Sequence, residues 1–346
     1  MRMPSLVINL RDSRPIWSVP DWVIEAISKA APDRLAPVVV DAPADGKGDG
    51  GPAVPEAIEA VAGAEIYLGF GFPKPLFEAA ARSGANLQWV HSASAGVGGT
   101  LYPEMRQSQL ILTNSAGIHA EPMADSALAM ILYFARGFDF AVQAQHQARW
   151  DKDRFDATDS PLVELEGSTL GVLGYGGIGR AIGRRATALG MRVLALRRRL
   201  GDTDPSVTPL TGRAGLDRLL AESQFIVLSL PRTTATEGLL GREQIASLRP
   251  DAVVINVGRG ELIDEVALAE ALAQGRIRGA GLDVFMREPL PPKSPLWRLP
   301  NVLITPHASA TSHRFWQREL DLILENLDRY QRGAKQLNVV DKGAGY

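Results

Sequence analysis

The stretch Thr169-Leu-Gly-Val-Leu-Gly174-Tyr-Gly176-Gly-Ile-Gly179-Arg-Ala-Ile182 carries the clearest structural signal in this chain of 346 residues. Its first part is a short, largely apolar run, which indicates a buried parallel strand. The motif Gly174-x-Gly176-x-x-Gly179 follows at once, and after it apolar residues recur at helical spacing as far as Leu189. A second apolar run, Val193-Leu-Ala-Leu196, comes next. This order predicts a strand, a glycine loop, a helix and a second strand.

The same order is typical of a dinucleotide-binding unit. Glycines there allow a tight turn, a close approach of backbone N–H groups to a pyrophosphate, and close packing of the helix on the strand. The helix N-terminus also favours a negative charge. An ordinary glycine-rich turn is the alternative, but the flanking strands and helix favour the dinucleotide. We predict that the cofactor binds at Gly174, Gly176, Gly177, Ile178 and Gly179.

Composition narrows the class of protein. At about 150 residues per domain, 346 residues correspond to roughly two domains. The formal net charge of −2 gives no general attraction to nucleic acid or to an anionic membrane. The chain has no cysteine, which excludes disulfides, thiolate metal sites and a cysteine nucleophile, and we predict no metal site.

The sequence also lacks the patterns of targeting and membrane segments. No uncharged apolar stretch approaches the roughly 18 residues that a membrane span needs. The apolar run near the N-terminus is far too short for a signal peptide. We therefore expect a cytoplasmic protein.

Apolar runs and helical segments alternate along the chain, which predicts an α/β fold with parallel sheets that carry helices on both faces. The segment 45–52 is rich in glycine and aspartate, which indicates an exposed loop. The segment 121–136 is a helix that is apolar almost all round, so it is buried, either within one subunit or against another. The strands predicted outside the dinucleotide unit are 6–8, 38–40, 65–69, 87–90, 110–114, 225–230, 252–256, 279–285 and 301–305.

A loop of small residues, His91-Ser-Ala-Ser-Ala-Gly-Val-Gly-Gly99, follows the strand predicted at 87–90. Ligands of open α/β sheets bind beyond the carboxyl ends of the strands. Consecutive backbone N–H groups of such a loop can form a concave anion site. We interpret the loop as a candidate carboxylate site, with a flexible turn as the alternative.

Three later strands are each followed by a side chain that suits oxidoreductase chemistry. Arg259 is a permanent cation that can bind a carboxylate through two hydrogen bonds. Glu288 lies in a proline-rich loop, and His307 follows the last strand. An imidazole paired with a carboxylate is held in one tautomer and suits a general acid. Each of these residues alone is more often a surface or structural residue, as we expect for His91. Their occurrence at three strand ends behind one dinucleotide unit favours a catalytic set.

The residues around these positions resemble the signatures of the D-isomer-specific 2-hydroxyacid dehydrogenases. The resemblance runs from about Leu87 to Tyr346, and the motifs occur in the order in which that family has them. The motifs are Asn114-Ser-Ala-Gly-Ile-His-Ala-Glu-Pro-Met-Ala-Asp125, Leu173-Gly-Tyr-Gly-Gly-Ile-Gly179, Leu230-Pro-Arg-Thr-Thr-Ala-Thr236, Asn256-Val-Gly-Arg-Gly-Glu-Leu-Ile-Asp264, Gly281-Leu-Asp-Val-Phe-Met-Arg-Glu-Pro-Leu290 and Thr305-Pro-His307.

The resemblance implies two doubly wound parallel-sheet domains with a cleft between them. One is a Rossmann-type cofactor domain, residues 117–309, and the other is a flavodoxin-like substrate domain. The substrate domain would be discontinuous, formed by residues 1–116 and 310–346. The resemblance also implies a homodimer formed through the helix at 121–136.

Individual roles follow from the resemblance as well. Arg259 would bind the substrate carboxylate and polarise the 2-oxo group, His307 would donate the proton as hydride reaches C2, and Glu288 would orient His307. Backbone amides of Ala95 and Gly96 would hold the same carboxylate. Further cofactor contacts would come from Leu230, Pro231, Thr236 and Val257 and, at the nicotinamide carboxamide, from Asp283.

The implied activity is NAD(P)H-dependent reduction of a small 2-oxo acid, such as glyoxylate or hydroxypyruvate, to the D-2-hydroxy acid. A phosphite or phosphoglycerate oxidoreductase of the same family stays open, because both use a similar Arg–Glu–His set. A non-catalytic, cofactor-sensing protein of the corepressor type also stays open, since a fold does not determine a function. A formate dehydrogenase is disfavoured, because those enzymes have glutamine where Glu288 stands. Family members often have an acidic residue where this chain has Gly98-Gly99, so the substrate-side contacts stay open.

The end of the second strand of the dinucleotide unit predicts NADP as the preferred cofactor, with NAD as the other possibility. NAD-specific units have an acidic residue there, which hydrogen-bonds the ribose 2′-OH. Here Arg197, Arg198 and Arg199 follow the strand, and no acidic residue occurs before Asp202. An arginine pairs with a 2′-phosphate through charge-assisted hydrogen bonds. Three arginines in a solvated turn are the alternative. We expect Arg197 and Arg198 to bind the phosphate, ahead of Arg199.

Overall fold

The computed structural model describes residues 5–44, 53–82, 86–199 and 204–345. The loop predicted at 45–52 and the position of Asp202 lie outside the described residues. The chain divides into a first unit, Met1–His119 with Thr311–Tyr346, and a second unit, Ala120–Ala310. Each unit has its own sheet flanked by helices, which confirms the α/β class predicted from the sequence.

The first unit contains a five-stranded sheet in which every neighbouring pair of strands is parallel. Its strands and the helices between them are β1 (Ser5–Asn9), α1 (Asp21–Ala30), β2 (Ala36–Val39), α2 (Pro55–Val61), β3 (Ala64–Gly69), α3 (Lys74–Arg82), β4 (Trp89–Ser92), α4 (Pro103–Gln107) and β5 (Ile111–Asn114). The spatial order is β2-β1-β3-β4-β5, the doubly wound order of flavodoxin-like folds. β1 and β3 are buried along their whole length, as expected for a parallel sheet covered on both faces.

The second unit contains a seven-stranded sheet that is also parallel throughout. Its elements are α5 (Ala120–Ala135), α6 (Phe138–His146), α7 (Asp153–Asp156), β6 (Thr169–Leu173), α8 (Gly177–Ala188), β7 (Arg192–Leu196), β8 (Val207–Leu210), α9 (Gly212–Glu222), β9 (Phe225–Leu228), α10 (Arg242–Ala246), β10 (Val253–Asn256), α11 (Glu265–Ala273), β11 (Gly279–Leu282) and β12 (Val302–Ile304). The spatial order is β12-β11-β10-β9-β6-β7-β8. The strand order reverses between β6 and β9, which is the point where ligands bind in such sheets. The Rossmann-type order expected for the cofactor domain is confirmed.

The last helix, α12 (Phe315–Gln331), belongs to the first unit. Its residues Phe315 and Ile323 are fully buried and share a core cluster with Val23 and Ile27 of α1. After α12 the tail returns to β5, where the Asn114 N–H donates to the Asn338 carbonyl at 3.1 Å. The C-terminal segment is therefore an integral part of the first unit.

The apolar helix α5 is buried against the sheet of its own unit. A Cβ at Gly281 of β11 would lie 2.9 Å from Met130 Sδ, so glycine permits this close approach. Leu128 and Leu132 on α5 are only half-buried, and the homodimer expected through this helix stays a prediction. Among the described residues no single helix is long and apolar enough to cross a membrane, although α5 and α6, bent by 71°, meet the length and composition criteria as a pair.

The structure differs from the sequence prediction at β4 and β8. β4 covers Trp89–Ser92, so His91 lies in the strand and the small-residue loop begins at Ala93. His91 is polar yet fully buried, a placement that apolar patterning does not predict. β8 is also missed by the pattern, because Thr208 and Pro209 interrupt its apolar run.

Candidate functional site

The glycine loop joins β6 to α8, as the sequence predicts. Gly174 has a φ of +96°, a conformation that residues with a side chain rarely adopt. Its N–H donates to Leu196 O at the end of β7 (3.0 Å), and its carbonyl accepts from Ser229 Oγ after β9 (2.8 Å). The turn is therefore tied to the strands on both sides of β6.

The other two motif glycines have different surroundings. A Cβ at Gly179 would lie 2.1 Å from Gly174 O, so only glycine lets α8 pack on the loop. A Cβ at Gly176 would meet no atom within 4 Å. Gly176 therefore faces open space at the N-terminus of α8, where the first amides of the helix lack intrahelical acceptors. These residues fit a pyrophosphate, whose charge the helix N-terminus favours.

A pocket lies beside the glycine loop, at the carboxyl end of β7. Its lining residues are Tyr175, Ala195, Arg197, Asp204, Val207 and Pro209. Of the three predicted phosphate-binding residues, Arg197 is half-buried, and Arg198 and Arg199 are exposed. The position fits the adenosine ribose of a dinucleotide, because that ribose binds at the end of the second strand of a Rossmann unit.

Asp204 brings an acidic group into this pocket, which the sequence pattern does not reveal. Hydrogen bonds from the Ser206 hydroxyl and backbone N–H hold the pKa of the Asp204 carboxyl below its ordinary value, and the charge of Arg180 lowers it further. Burial raises the pKa of the Tyr175 phenol, Asp204 raises it further, and Arg180 and Arg197 oppose this. At neutral pH the pocket therefore holds charges of both signs.

The other residues that we expect to contact the nucleotide lie close together, near the ends of β9 and β10. Leu230 packs on the glycine loop, since a Cβ at Gly174 would lie 2.8 Å from its Cδ2. Thr236 Oγ1 donates to Pro231 O at 2.7 Å and closes the turn that follows β9. Val257, directly after β10, is buried. The structure thus places this predicted set around one edge of the sheet.

Arg259 follows β10 and is half-buried. Its Nη1 donates to Gly258 O at 2.7 Å, and its own carbonyl accepts from Asn256 Nδ2 at 2.9 Å. Glu261, the nearest acidic residue along the chain, pairs instead with Arg232 at 2.8 Å. Within the described ranges no carboxylate forms an ion pair with Arg259. A guanidinium without a counter-charge is available to bind an anion.

Gly260 brings the Arg259 loop into direct backbone contact with the segment that follows β11. A Cβ at Gly260 would lie 1.9 Å from Phe285 C and 2.1 Å from Phe285 O. No other residue fits there without moving one of the two loops. The sequence motif includes this glycine, but its role becomes visible only when the neighbouring loop is in place.

The carboxylate of Asp283 organises the turn that carries His307. Asp283 is fully buried, and its Oδ1 accepts from Thr305 Oγ1 (2.6 Å) and Ala308 N (2.8 Å). Its Oδ2 accepts from Ser309 N at 3.0 Å, and its backbone carbonyl accepts from His307 N at 2.8 Å. These bonds hold His307 at a φ of +51°. The contact between Asp283 and the nicotinamide carboxamide stays a prediction.

The structure pairs the predicted acid and its partner. His307 Nδ1 lies 2.7 Å from Glu288 Oε2, and Glu288 Oε1 accepts from Phe285 N at 3.0 Å. The side chains of His307 and Glu288 are 47% and 35% exposed, so the pair is open to a ligand. With Nδ1 held by the carboxylate, Nε2 is the nitrogen available for chemistry.

In the first unit the small-residue loop presents the amides expected to bind a carboxylate. Ala95 is exposed and Gly96 is half-buried. Neither backbone N–H donates to an acceptor in the part of the chain that the structure describes. Consecutive unpaired amides can bind an anion, and the contact of Ala95 and Gly96 with a carboxylate stays a prediction.

The second unit therefore assembles a fixed cation, a histidine held by a carboxylate and a glycine loop suited to a dinucleotide. A cation can anchor an anionic substrate, and a histidine can transfer a proton at the reacting carbonyl. The sequence predicted Arg259, Glu288 and His307 as a catalytic set because they follow three strands, which the structure gives as β10, β11 and β12. It missed the supporting roles of Gly260 and Asp283, which depend on contacts between loops.

Comparisons with known proteins agree with this geometry. Residues 128–309 match the sequence model described as D-isomer specific 2-hydroxyacid dehydrogenase, NAD binding domain. A glyoxylate reductase of Korarchaeum cryptofilum is 34% identical over 77% of this chain and 79% of its own length. A glyoxylate/hydroxypyruvate reductase B of Pectobacterium carotovorum is 40% identical over 60% of this chain and 65% of its own length. A D-isomer specific 2-hydroxyacid dehydrogenase of Xanthobacter autotrophicus, crystallised with NADPH and MES, has a TM-score of 0.79 and 29% identity, and the match covers 99% of this chain and 100% of that one.

The two glycine positions allow the cofactor site to be tested apart from the fold. We expect Gly176→Ala to raise the KM for the nicotinamide cofactor about tenfold or more with an unchanged Tm, because the methyl group meets only ligand space. Gly179→Ala should lower both the Tm and the affinity, because its methyl group clashes with the protein itself. Cofactor titration and thermal unfolding measure both. A Gly176→Ala protein with normal cofactor affinity would show that no ligand lies over this residue.

Proposed function

Because the chain belongs to the D-isomer specific 2-hydroxyacid dehydrogenase family, we propose that it reduces a small 2-oxo acid to the D-2-hydroxy acid with NADPH as hydride donor. The observation that carries this proposal is the 2.7 Å contact between His307 Nδ1 and Glu288 Oε2. Glu288 belongs to the segment after β11, which packs against the loop of Arg259. The described residues supply no ion-pair partner for the Arg259 cation. A proton donor and a carboxylate anchor are the two groups that reduction of a 2-oxo acid requires of the protein.

The chain's own residues supply binding, orientation and the proton. Arg259 binds the substrate carboxylate through its guanidinium. In the first unit the backbone amides of Ala95 and Gly96 are the proposed carboxylate donors. A nicotinamide cofactor held at the glycine loop of Gly174, Gly176 and Gly179 would supply the hydride to C2. As the C2–O double bond becomes single, the oxygen takes a proton from His307 Nε2, which leaves a neutral imidazole. Glu288 accepts from Nδ1–H throughout and so keeps Nε2 as the reacting nitrogen.

The substrate class is proposed from the names of the relatives together with this site. Both curated relatives are named for glyoxylate, and one also for hydroxypyruvate. We propose glyoxylate or hydroxypyruvate as the substrate. Steady-state assays with both acids and with both nicotinamide cofactors test the activity. A protein that binds the cofactor but turns over neither acid would instead favour phosphite or phosphoglycerate chemistry, or a cofactor-sensing role.

The general acid can be tested by substitution. His307→Ala should reduce kcat by roughly 10²- to 10⁴-fold, the usual contribution of a positioned acid or base. NADPH affinity should change little, because the residue is not part of the glycine loop. His146→Ala, at an exposed histidine on α6, is the matched control and should keep full activity. Turnover near that of the unmodified enzyme across pH 6–8 would rule out His307 as the acid.

The role of Arg259 depends on its planar fork as well as its charge. Arg259→Lys keeps the charge but loses bidentate binding, so kcat and the apparent affinity for glyoxylate should both fall by about tenfold or more. Arg276→Lys changes an exposed arginine of the same unit and should have no effect. If Arg259→Lys behaves like the unmodified enzyme, two-point binding of the carboxylate is wrong.

We propose a preference for NADPH, set by Arg197 and Arg198 against the opposing charge of Asp204. Replacing both arginines with alanine should raise the KM for NADPH at least tenfold and that for NADH little. Asp204→Asn should shift the preference further toward NADPH, because it removes a negative charge from the pocket. Arg192→Ala, at the other end of β7, is the control. Equal or better efficiency of the unmodified enzyme with NADH contradicts the preference.

A further inference from the structure

Two successive carbonyl groups near the start of the small-residue loop in the first unit are held from the end of β5. Ser94 O accepts from Ser115 N at 3.2 Å, and Ala95 O accepts from Asn114 Nδ2 at 2.8 Å. Ser115 Oγ also lies 3.0 Å from Ser92 O, at the end of β4. The two residues that make these bonds stand at the carboxyl end of β5. The peptides that follow Ser94 and Ala95 are therefore oriented by the end of β5, while the Ser94 hydroxyl donates to Phe70 O, after β3, at 3.1 Å.

These bonds determine where the free amides point. In a trans peptide the carbonyl of one residue and the N–H of the next are directed to opposite sides. The peptides after Ser94 and Ala95 are trans. Because their carbonyls point to Asn114 and Ser115, the N–H groups of Ala95 and Gly96 point away from β5. Those are the two amides assigned above to the substrate carboxylate.

Ser115 is itself held by a buried ionisable group from the far end of the chain. Its Oγ lies 2.7 Å from Glu319 Oε2 on α12, and both residues are fully buried. Glu319 Oε1 lies 2.8 Å from Nε2 of His91, which is also fully buried. A carboxylate removed from water is costly unless its oxygens are paired, and here each oxygen has a partner.

The remaining bonds of the network are directional. The indole N–H of Trp89 can only donate, and it lies 2.8 Å from Thr113 Oγ1. Thr113 Oγ1 in turn lies 2.8 Å from His91 Nδ1. With Glu319 as a carboxylate, the Thr113 hydroxyl donates to Nδ1, and both His91 Nε2–H and the Ser115 hydroxyl donate to Glu319. Glu319 is thereby held in one orientation by His91 of β4 and by Ser115, which directly follows β5.

We propose that Glu319 and Ser115 are positioning residues of the substrate-carboxylate site. Glu319 holds the Ser115 side chain, and the backbone N–H of Ser115 holds Ser94 O, which aims the Ala95 amide. The neighbouring Gly96 amide is aimed by Asn114 Nδ2, through Ala95 O. Glu319 does not touch the substrate. This inference rests on the proposed function for the identity of the anion, a 2-oxo acid. It adds that a buried hydrogen-bond network, which includes Glu319 of α12, determines the affinity of the enzyme for that acid.

The first test uses Ser115→Ala, a small change that removes only the hydroxyl. Amides that bind the carboxylate equally in the ground state and the transition state affect KM and leave kcat unchanged. We expect the KM for glyoxylate to rise about tenfold, the equivalent of one misplaced hydrogen bond to a charged group. The KM for NADPH and the kcat at saturating glyoxylate should change less than about threefold.

Glu319 is tested by a pair of variants. Glu319→Ala removes both hydrogen bonds and should raise the KM for glyoxylate at least as much as Ser115→Ala. Glu319→Gln keeps the length. Its oxygen can accept from His91 Nε2–H and its NH2 can donate to Ser115 Oγ, so it should bring the KM back to within about threefold of the unmodified value. A role confined to stability would lower the Tm of Glu319→Ala and the amount of active enzyme without moving the KM.

Tyr330→Phe is the matched control on the same helix. The Tyr330 hydroxyl donates to Glu65 Oε1 at 2.7 Å, at the opposite end of β3 from the small-residue loop. Its removal should lower the Tm and leave the KM for glyoxylate unchanged. If Tyr330→Phe raises the KM as much as Ser115→Ala, or if Ser115→Ala leaves it unchanged, the positioning role is overturned.

Calorimetric titration of the full chain with oxalate separates this inference from the proposed function, because it requires no turnover. We expect oxalate to bind the unmodified protein and to bind Ser115→Ala about tenfold more weakly, with Tyr330→Phe unaffected. That result without glyoxylate turnover would leave the positioning role standing while the proposed activity fails. Turnover of glyoxylate together with the same oxalate affinity in all variants would support the proposed activity and overturn the positioning role. No oxalate binding by the unmodified protein would overturn the inference.

Discussion

The parallel arrangement of the strands is the constraint on which the candidate site depends. In a parallel sheet every carboxyl end lies at the same edge, so the residues after successive strands meet there although they are far apart in the chain. In the second unit this edge collects the glycine loop after β6, the arginine turn after β7, Arg259 after β10 and His307 after β12. In the first unit the corresponding edge carries the small-residue loop after β4 and Ser115 after β5.

Strand direction alone does not aim a side chain or an amide, and both units use a buried carboxylate for that purpose. Asp283 accepts three hydrogen bonds from residues 305–309 and so shapes the turn that presents His307. Glu319 accepts from Ser115 and pairs with His91, next to the loop of Ala95 and Gly96. A buried carboxylate is stable only while its partners stay in place, which makes it a rigid anchor for backbone that carries function.

Glycines complement these anchors by allowing backbone segments to touch. Gly179 lets α8 reach the carbonyl of Gly174, and Gly260 lets the Arg259 loop reach Phe285. In both places the missing side chain is a packing requirement between two pieces of backbone. Gly176 differs, because it borders open space and is suited to the ligand rather than to the protein. One glycine-rich motif thus serves the fold and the cofactor at separate positions.

Local sequence was sufficient for the order of most strands and helices, for the dinucleotide loop and for the three residues proposed to do the chemistry. Each of these is encoded within a few residues, as an apolar run, a glycine spacing or a polar side chain next to a strand end. Local sequence could not place Asp204 beside Arg197, Gly260 against Phe285, or β4 as far as His91 and Ser92. It also gave no sign of the contact between His91 and Glu319, which are 228 positions apart. Such contacts arise only when helices and strands pack, because a buried polar group is defined by partners that the chain brings from elsewhere.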